Sequence, residues 1–466
     1  MLRAVAAHLQ PQPAAASESE GLEEPKPDQN TPPLLSAAHR ADITARGSAA
    51  VEELIVASMA TAQIPAVSVS IVKRGEVAWA QAFGLANVER QIPATTDTIF
   101  GLASVTKTVT AVAVMQLYEA GLVELDVDVS LYLPFPVIHP GHPVTPVTLR
   151  ALMTHTAAIS DAQVWMGNGK MGQGLGYAGG DMSVNLTHAL REYLVQGGAY
   201  FSAAHNWHPW APSDTKAGTY IYSNVGIALV GLIVQCVSGE DYHEYCTAHI
   251  LRPLGLRESY WLWADMLQGG LPLERLAMPY GHAEIDGFQR LMPFGVYGYP
   301  DTPSGNLRCS AAGVGVFLAM FAGGGCGANG VRLLKRETVE MMMRPQAVVT
   351  SEASSREAGR DEQTLTPVEN STQGLVWAYS PRTAGSGEVG TGVEGMLLGH
   401  SGGDPGVATW IGFAPDGQLG DDGEGPTGVV CLTNCSPVKG TPVAAAVTWG
   451  GQSLVEQALF AFAESL

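Results

Sequence analysis

A serine hydroxyl becomes a strong nucleophile at neutral pH only when a base lies within hydrogen-bond reach, and a lysine three residues on along a helix provides one. Ser104-Val105-Thr106-Lys107 has that spacing. By itself the spacing is unspecific, since four of the seven lysines follow a serine at this interval; the others are Ser70/Lys73, Ser213/Lys216 and Ser436/Lys439. Ser70 falls in an alternating strand pattern, where residues i and i+3 face opposite ways. Ser213 sits in a loop, and Ser436 precedes a proline with no helix after it. Only Ser104 opens a helical stretch, and residues 105–117 are apolar or Thr almost all round, as in a centrally buried helix. Helix capping would account for Ser104 but not for Lys107. A lysine in the first turn meets the positive end of the helix dipole, at a cost of roughly 0.3–1 kcal/mol, and burial adds desolvation. Both effects lower the amine pKa, which suits a base and is otherwise only harmful. The same helix end favours an oxyanion at Ser104.

Two further clusters carry chemistry. Tyr222-Ser223-Asn224 precedes an apolar helix beginning at Val225. Ser223 or Asn224 would make a good N-cap and Tyr222 could be core, but a tyrosine beside a lysine cation can also act as a general base. Asn224 could then hydrogen-bond a substrate amide. Gly399-His400-Ser401-Gly402-Gly403 matches G-x-S-x-G, the nucleophile elbow. An elbow needs a helix after the serine and a later histidine. Here an alternating strand, ATWIGFAP, follows and no histidine occurs beyond His400. A strand edge whose glycines let substrate approach the backbone is the better reading.

The elements that must position these groups are legible in outline. AVSVSIVKRGEVAWAQAFGLANV reads as a hairpin turning at Arg74-Gly75, after a helix near residues 49–62. Residues 145–290 carry helical patterns separated by Gly-, Pro- and Trp-rich loops, and another helix fits 311–322. Strands return in QGLVWAYS, GMLLGHSGG, ATWIGFAP and GVVCLTN, before a last helix at 451–464. The expected fold is α/β in the α+β sense: an antiparallel sheet flanked by helices, with an inserted all-helical region. Residues 1–45, rich in Pro, Ala, Glu and Ser, read as a disordered tail ahead of one domain at 46–466. Residues 350–372 read as a polar insertion.

Of 466 residues, 46% are hydrophobic and 15% charged, enough for a sizeable core. The formal charge of −19 argues against nucleic acid or an anionic membrane as partner. No apolar run of ~18 residues marks a membrane span. Six cysteines without a CxxC pair, and an N-terminus lacking a secretory apolar core, point to a soluble intracellular protein. The cytoplasm is favoured, and one arginine with no acid before Glu18 leaves organellar import open. Oligomeric state is not legible.

In the order S-x-x-K, Y-x-N, H-x-G, the three clusters resemble the β-lactamase-related serine hydrolases: class C β-lactamases, penicillin-binding relatives, and related esterases and peptidases. The likeness runs over roughly residues 50–460 and includes TIFGLASVTK, LRALMTHTAAIS, TYIYSNVGIALVGLIV and SGNLRCSAAGVGVFL. It implies a β-lactamase/transpeptidase-like fold and an acyl-enzyme on Ser104, without cofactor or metal, acting on a small-molecule or peptide ester or amide. Lys107 and Tyr222 would share the proton removed from Ser104 and titrate as a coupled unit, with Tyr222 later activating water. The backbone N–H groups of Ser104 and Gly403 would form the oxyanion hole, and Asn224, His400 and Gly402 would bind substrate. One departure is chemical: β-lactamases of this type carry Lys where His400 stands, and histidine is largely neutral at pH 7. That weakens β-lactam hydrolysis and favours esterase or peptidase activity. The aromatics of residues 205–210 either line the cleft or, in the favoured reading, pack the loop.

Two rival readings remain. A non-catalytic relative could keep the fold as a binding or assembly module. A zinc hydrolase could use the H-x-x-H pairs His139/His142 and His205/His208, but both lie in proline-bearing loops and neither H-E-x-x-H nor H-x-H-x-D-H occurs.

Overall fold

The alternation of Val67, Val69 and Ile71 with Ser68, Ser70 and Val72 requires a strand with two different faces. A computed structural model describes residues 35–162, 165, 178–181, 184–213, 219–285, 288–348, 372–381, 396–414, 425–436 and 453–466. In it, β1 (Ala66–Lys73) and β2 (Glu76–Asn87) form the expected hairpin. Arg74 and Gly75 both take positive φ (54° and 71°), the geometry that matches a two-residue turn to strand twist. With β3 (Ile92–Pro93), β4 (Ala347–Val348), β5 (Thr372–Gln373), β6 (Ala378–Pro381), β7 (Met396–Asp404), β8 (Val407–Phe413) and β9 (Gly428–Thr433) they build a nine-stranded antiparallel sheet. Its order is β4-β5-β6-β7-β8-β9-β1-β2-β3.

Each face of the sheet closes its own core. Val67, Val69, Ile71, Trp410, Val429 and Cys431 pack toward helices α1 (Ala37–Arg46), α2 (Ser48–Ala62) and a C-terminal helix (Leu454–Ala463). Val72, Ile411, Phe413, Val430 and Leu432 face the larger core. There lie α3 (Thr106–Glu119), α4 (Leu149–Met153), α5 (Leu186–Leu194), α6 (Asn224–Ser238) and a helix at Ala311–Ala322. The apolar girdle of α3 is buried all round, from Thr106 through Met115, and packs on α6.

Three expectations need correction. The tail boundary at 45 is too late, because α1 occupies Ala37–Arg46. Its sequence, AAHRADITAR, is polar enough to read as coil; Leu35 and buried Ile43 anchor it against α2 and the C-terminal helix. The 145–290 region, read as mostly helical and as part of an all-helical insertion, ends in a hairpin, Tyr280–Ile285 with Phe288–Pro293. QGLVWAYS is two strands rather than one, since a turn with Val376 at φ 71° folds β5 against β6. The polar insertion lies, but for Thr372, outside the described residues. No single described helix is long and apolar enough to cross a membrane; α6 with Tyr242–Leu251 passes only as a pair bent by 85°.

Candidate active site

The chain enters the site through Phe100–Gly101, paired with Arg308–Cys309, and turns at Ala103–Val105 into α3. Leu102 N–H donates to Leu307 O (2.9 Å), and Thr106 Oγ1 accepts from Leu307 N–H (3.2 Å). Ala103, buried, is held at φ 47°, a left-handed conformation that costs a non-glycine residue about 1–2 kcal/mol. Such strain concentrates at functional sites. Ser104 does not cap α3 with its side chain, which leaves the hydroxyl for Lys107. The Ser104 N–H has no acceptor among the described residues.

Lys107 is fully buried. Its Nζ lies 2.9 Å from Ser104 Oγ and donates to Asn224 Oδ1 (2.7 Å) and Ser304 O (2.6 Å). Burial pulls its pKa from 10.5 down to about 8, against the pull of Asp301, Asp161 and Asp404. Asn224 opens α6, where Ser223 is the N-cap, accepting from Gly226 N–H at 3.0 Å. The Asn224 carbonyl is therefore turned to the lysine.

Tyr222 reaches the same point from the other side. Lys107 Nζ stands 5.0 Å from its ring centroid. Its hydroxyl is buried and makes no formed hydrogen bond among the described residues, though interaction with Ser104 opposes the burial that pushes its pKa well above 10. No direct hydrogen bond joins Lys107 and Tyr222 among the described residues. The lysine is held by Asn224 and Ser304, and the phenol stays neutral.

His400 lies on β7, 6% exposed, with its ring centroid 6.5 Å from that of Tyr222. A carbonyl can only accept, so the 2.7 Å contact with Ser401 O assigns the proton to Nδ1. Desolvation, then the nearby Lys107 cation, pushes the His400 pKa down to about 3. This imidazole is uncharged at neutral pH.

Gly402 is where the sheet touches the serine turn. A Cβ there would lie 2.4 Å from Leu102 O, 2.3 Å from Thr409 Oγ1 and 3.1 Å from Ala103 Cβ, whereas a Cβ on Gly403 meets nothing within 4 Å. Glycine is required at 402 by packing. Gly402→Ala is expected to lower stability by about 1–3 kcal/mol, with Gly403→Ala within about 0.5 kcal/mol of wild type, in denaturant titrations. Equal stability of the two variants would contradict this account.

Sequence reasoning missed Asp161, His155, Asp301 and Ser304. Asp161 accepts from Ser223, Asn224 and Val225; Asp301 accepts from Trp165 Nε1 (3.1 Å) and Ser304 Oγ (2.8 Å). The histidines of the zinc reading are otherwise engaged. His139 Nδ1 accepts from Gly141 and His142 N–H while Nε2 meets His208 O, and His142 Nε2 meets Pro209 O. Among the described residues no three His, Cys, Asp or Glu side chains gather as a metal site. Of the 205–210 aromatics, His208 stacks on Trp210 at 4.6 Å, while Trp207 is buried in the larger core and meets His139 edge-on.

An antiparallel sheet between helical layers, with a serine and a buried lysine at the tip of the central helix, defines a β-lactamase-fold protein. The chain belongs to the Beta-lactamase family, whose model matches residues 51–449. That family is one of serine hydrolases. Esterase EstB of Burkholderia gladioli is 31% identical over 220 residues, covering 46% of this chain and 50% of the esterase. The matched stretches span about a third to a half of the first curated relatives' own length. The octameric penicillin-binding protein homologue from Pyrococcus abyssi superposes with a TM-score of 0.62 at 26% identity, covering 85% of this chain and 75% of that one. A class C beta-lactamase mutant superposes at 0.58 and 20% identity, over 89% of this chain and 96% of that one, a likeness of fold.

Proposed function

We propose that this protein hydrolyses an ester or small amide through an acyl-enzyme on Ser104, with Lys107 as the base. The observation that carries this reading is the set of three contacts at Lys107 Nζ. Asn224 Oδ1 and Ser304 O can only accept. A neutral amine has two N–H bonds and one lone pair; with both N–H groups spent on those oxygens, the lone pair points at Ser104 Oγ. In the ammonium form the third N–H occupies that direction instead.

The steps follow from this arrangement. The Ser104 hydroxyl proton passes to Lys107 as Oγ bonds the substrate carbonyl carbon. The Ser104 and Gly403 N–H groups receive the oxyanion, a stabilisation of roughly 3–4 kcal/mol per donor. Tyr222, kept a neutral phenol by burial, protonates the leaving group, and the proton taken up by Lys107 returns to the phenolate. Water then attacks the acyl carbon and gives its proton to Lys107, which passes it to Ser104 Oγ as the acyl–oxygen bond breaks, regenerating the serine. Uncharged His400 offers no cation to a substrate carboxylate, which supports esters and small amides over β-lactams. Relatives that include an esterase support the same choice.

The test is fluorophosphonate labelling with peptide mapping across pH. Below about pH 8 the rate should rise tenfold per unit as the ammonium loses its proton, then level off; at pH 7 about a tenth of the amine is neutral. A well-folded protein that takes no label at Ser104 would instead be a non-catalytic binding module.

A further inference from the structure

We propose that Asp161 is a positioning residue whose carboxylate sets the register of Tyr222-Ser223-Asn224 against Ser104 and Lys107, with His155 bracing the same segment from its other side. The proposal rests on the reading of Ser104 as nucleophile. Asp161 Oδ1 accepts from Ser223 Oγ (2.9 Å) and Val225 N–H (3.1 Å), and Oδ2 accepts from Asn224 N–H (2.7 Å). One carboxylate thus binds three consecutive residues. Ser223 Oγ already caps α6, so the helix start does not need Asp161 for its first cap. What the carboxylate adds is a fixed rotation of the segment, which decides where Tyr222 and Asn224 point.

His155 completes the grip. Its Nδ1 accepts from Ser223 N–H (3.2 Å), and its ring lies 4.5 Å from the Tyr222 ring at 38°. Asp161 is itself pinned on both flanks: Tyr193 Oη donates to Ser160 O (2.7 Å) and accepts from Ala162 N–H (2.7 Å), and Ser160 N–H donates to Asn206 O (2.9 Å). Tyr193 is fully buried. Each member is held by groups that cannot easily move.

The charge of Asp161 also acts on the lysine. Around Lys107 stand Asp161, Asp301 beside the helix Thr302–Gly305, Asp404 at the end of β7, and three neutral groups, His155, His400 and Tyr222. The three carboxylates raise the Lys107 pKa. Removing one charge lowers it, so more neutral amine is present at a given pH.

The experiment measures fluorophosphonate acylation of the full chain from pH 5 to 10 for wild type, Asp161→Asn and Ser223→Ala, with folded fraction by circular dichroism. In Asp161→Asn an NH2 replaces one acceptor oxygen, so the high-pH plateau should fall about tenfold or more as the segment is misplaced. Its rising limb should also move to lower pH, a shift that general destabilisation does not produce. Ser223→Ala keeps the charge, and should lose about threefold with an unmoved limb. A wild-type plateau in Asp161→Asn, or a loss matched by unfolded protein, overturns the proposal. If Asp161→Asn does not fold, a wild-type rate in Ser223→Ala overturns it. An unlabelled wild type fails the Ser104 reading first and the positioning role with it, a result distinct from equal labelling of wild type and variant.

Discussion

Ser104→Ala is expected to fold as wild type and to lose hydrolysis of p-nitrophenyl esters by a factor on the order of 10⁴–10⁶. The size of the loss follows from chemistry. Without Oγ no acyl-enzyme forms, and only the oxyanion donors and substrate binding remain to assist attack by water. The side chain is partly exposed at the turn and does not cap α3, so its removal leaves no buried group unsatisfied other than the lysine. A variant retaining a tenth of wild-type activity would place the nucleophile elsewhere. The panel should include a chromogenic cephalosporin and D-alanyl peptides beside the esters, since Ser104→Ala must silence every true substrate equally.

Lys107→Met is expected to fold and to lose acylation by a factor on the order of 10²–10⁴, the range of a general base. Methionine fills nearly the same volume, so packing in the α3 core changes little. Stability should respond with a defined sign. The folded-state pKa of about 8 lies below the ordinary 10.5, so the charged lysine opposes folding, at most by roughly 3 kcal/mol at pH below 8. Between about 8 and 10.5 the unfolded chain holds the extra proton, and wild-type stability gains with rising pH. Loss of the amine also strands Asn224 Oδ1 and Ser304 O, each costing about 1–3 kcal/mol. The net difference at pH 7 is therefore small, and the informative quantity is the slope. Melting temperatures of wild type minus variant should climb from pH 8 to 10. A flat difference across that window would mean the lysine is not held as described.

Much of this site was legible because its core lies in one turn of helix. The Ser104/Lys107 spacing, the apolar girdle of 105–117 and the misplaced first-turn cation all sit within fourteen residues, and the periodicity needs no tertiary information. The hairpin turn at Arg74-Gly75 and the strand carrying His400 were legible for the same local reason. Asp161 and His155 were not. Their partner, Ser223, lies 62 and 68 residues away, and a loop aspartate looks the same in sequence whether it faces water or a helix start. Ser304 acts through its backbone carbonyl, which no side-chain pattern reports, and Asp301 through a carboxylate whose partners, Trp165 and Ser304, only the fold brings to it. The strain at Ala103 was hidden too, since alanine signals nothing unusual at a positive φ. Helix α1 was missed because tertiary contacts at Leu35 and Ile43, rather than amphipathic pattern, hold it.

The contact at Gly402 has a wider implication. The reacting serine is carried by the helical layer, and the strand that meets it belongs to the sheet, so the two halves of the chemistry sit on different layers that close one core between them. Catalytic competence in this molecule is a property of a seam. A small slip along that seam would lower turnover while the shared core stayed buried, which makes residual activity a finer gauge of how the layers are seated than any melting curve.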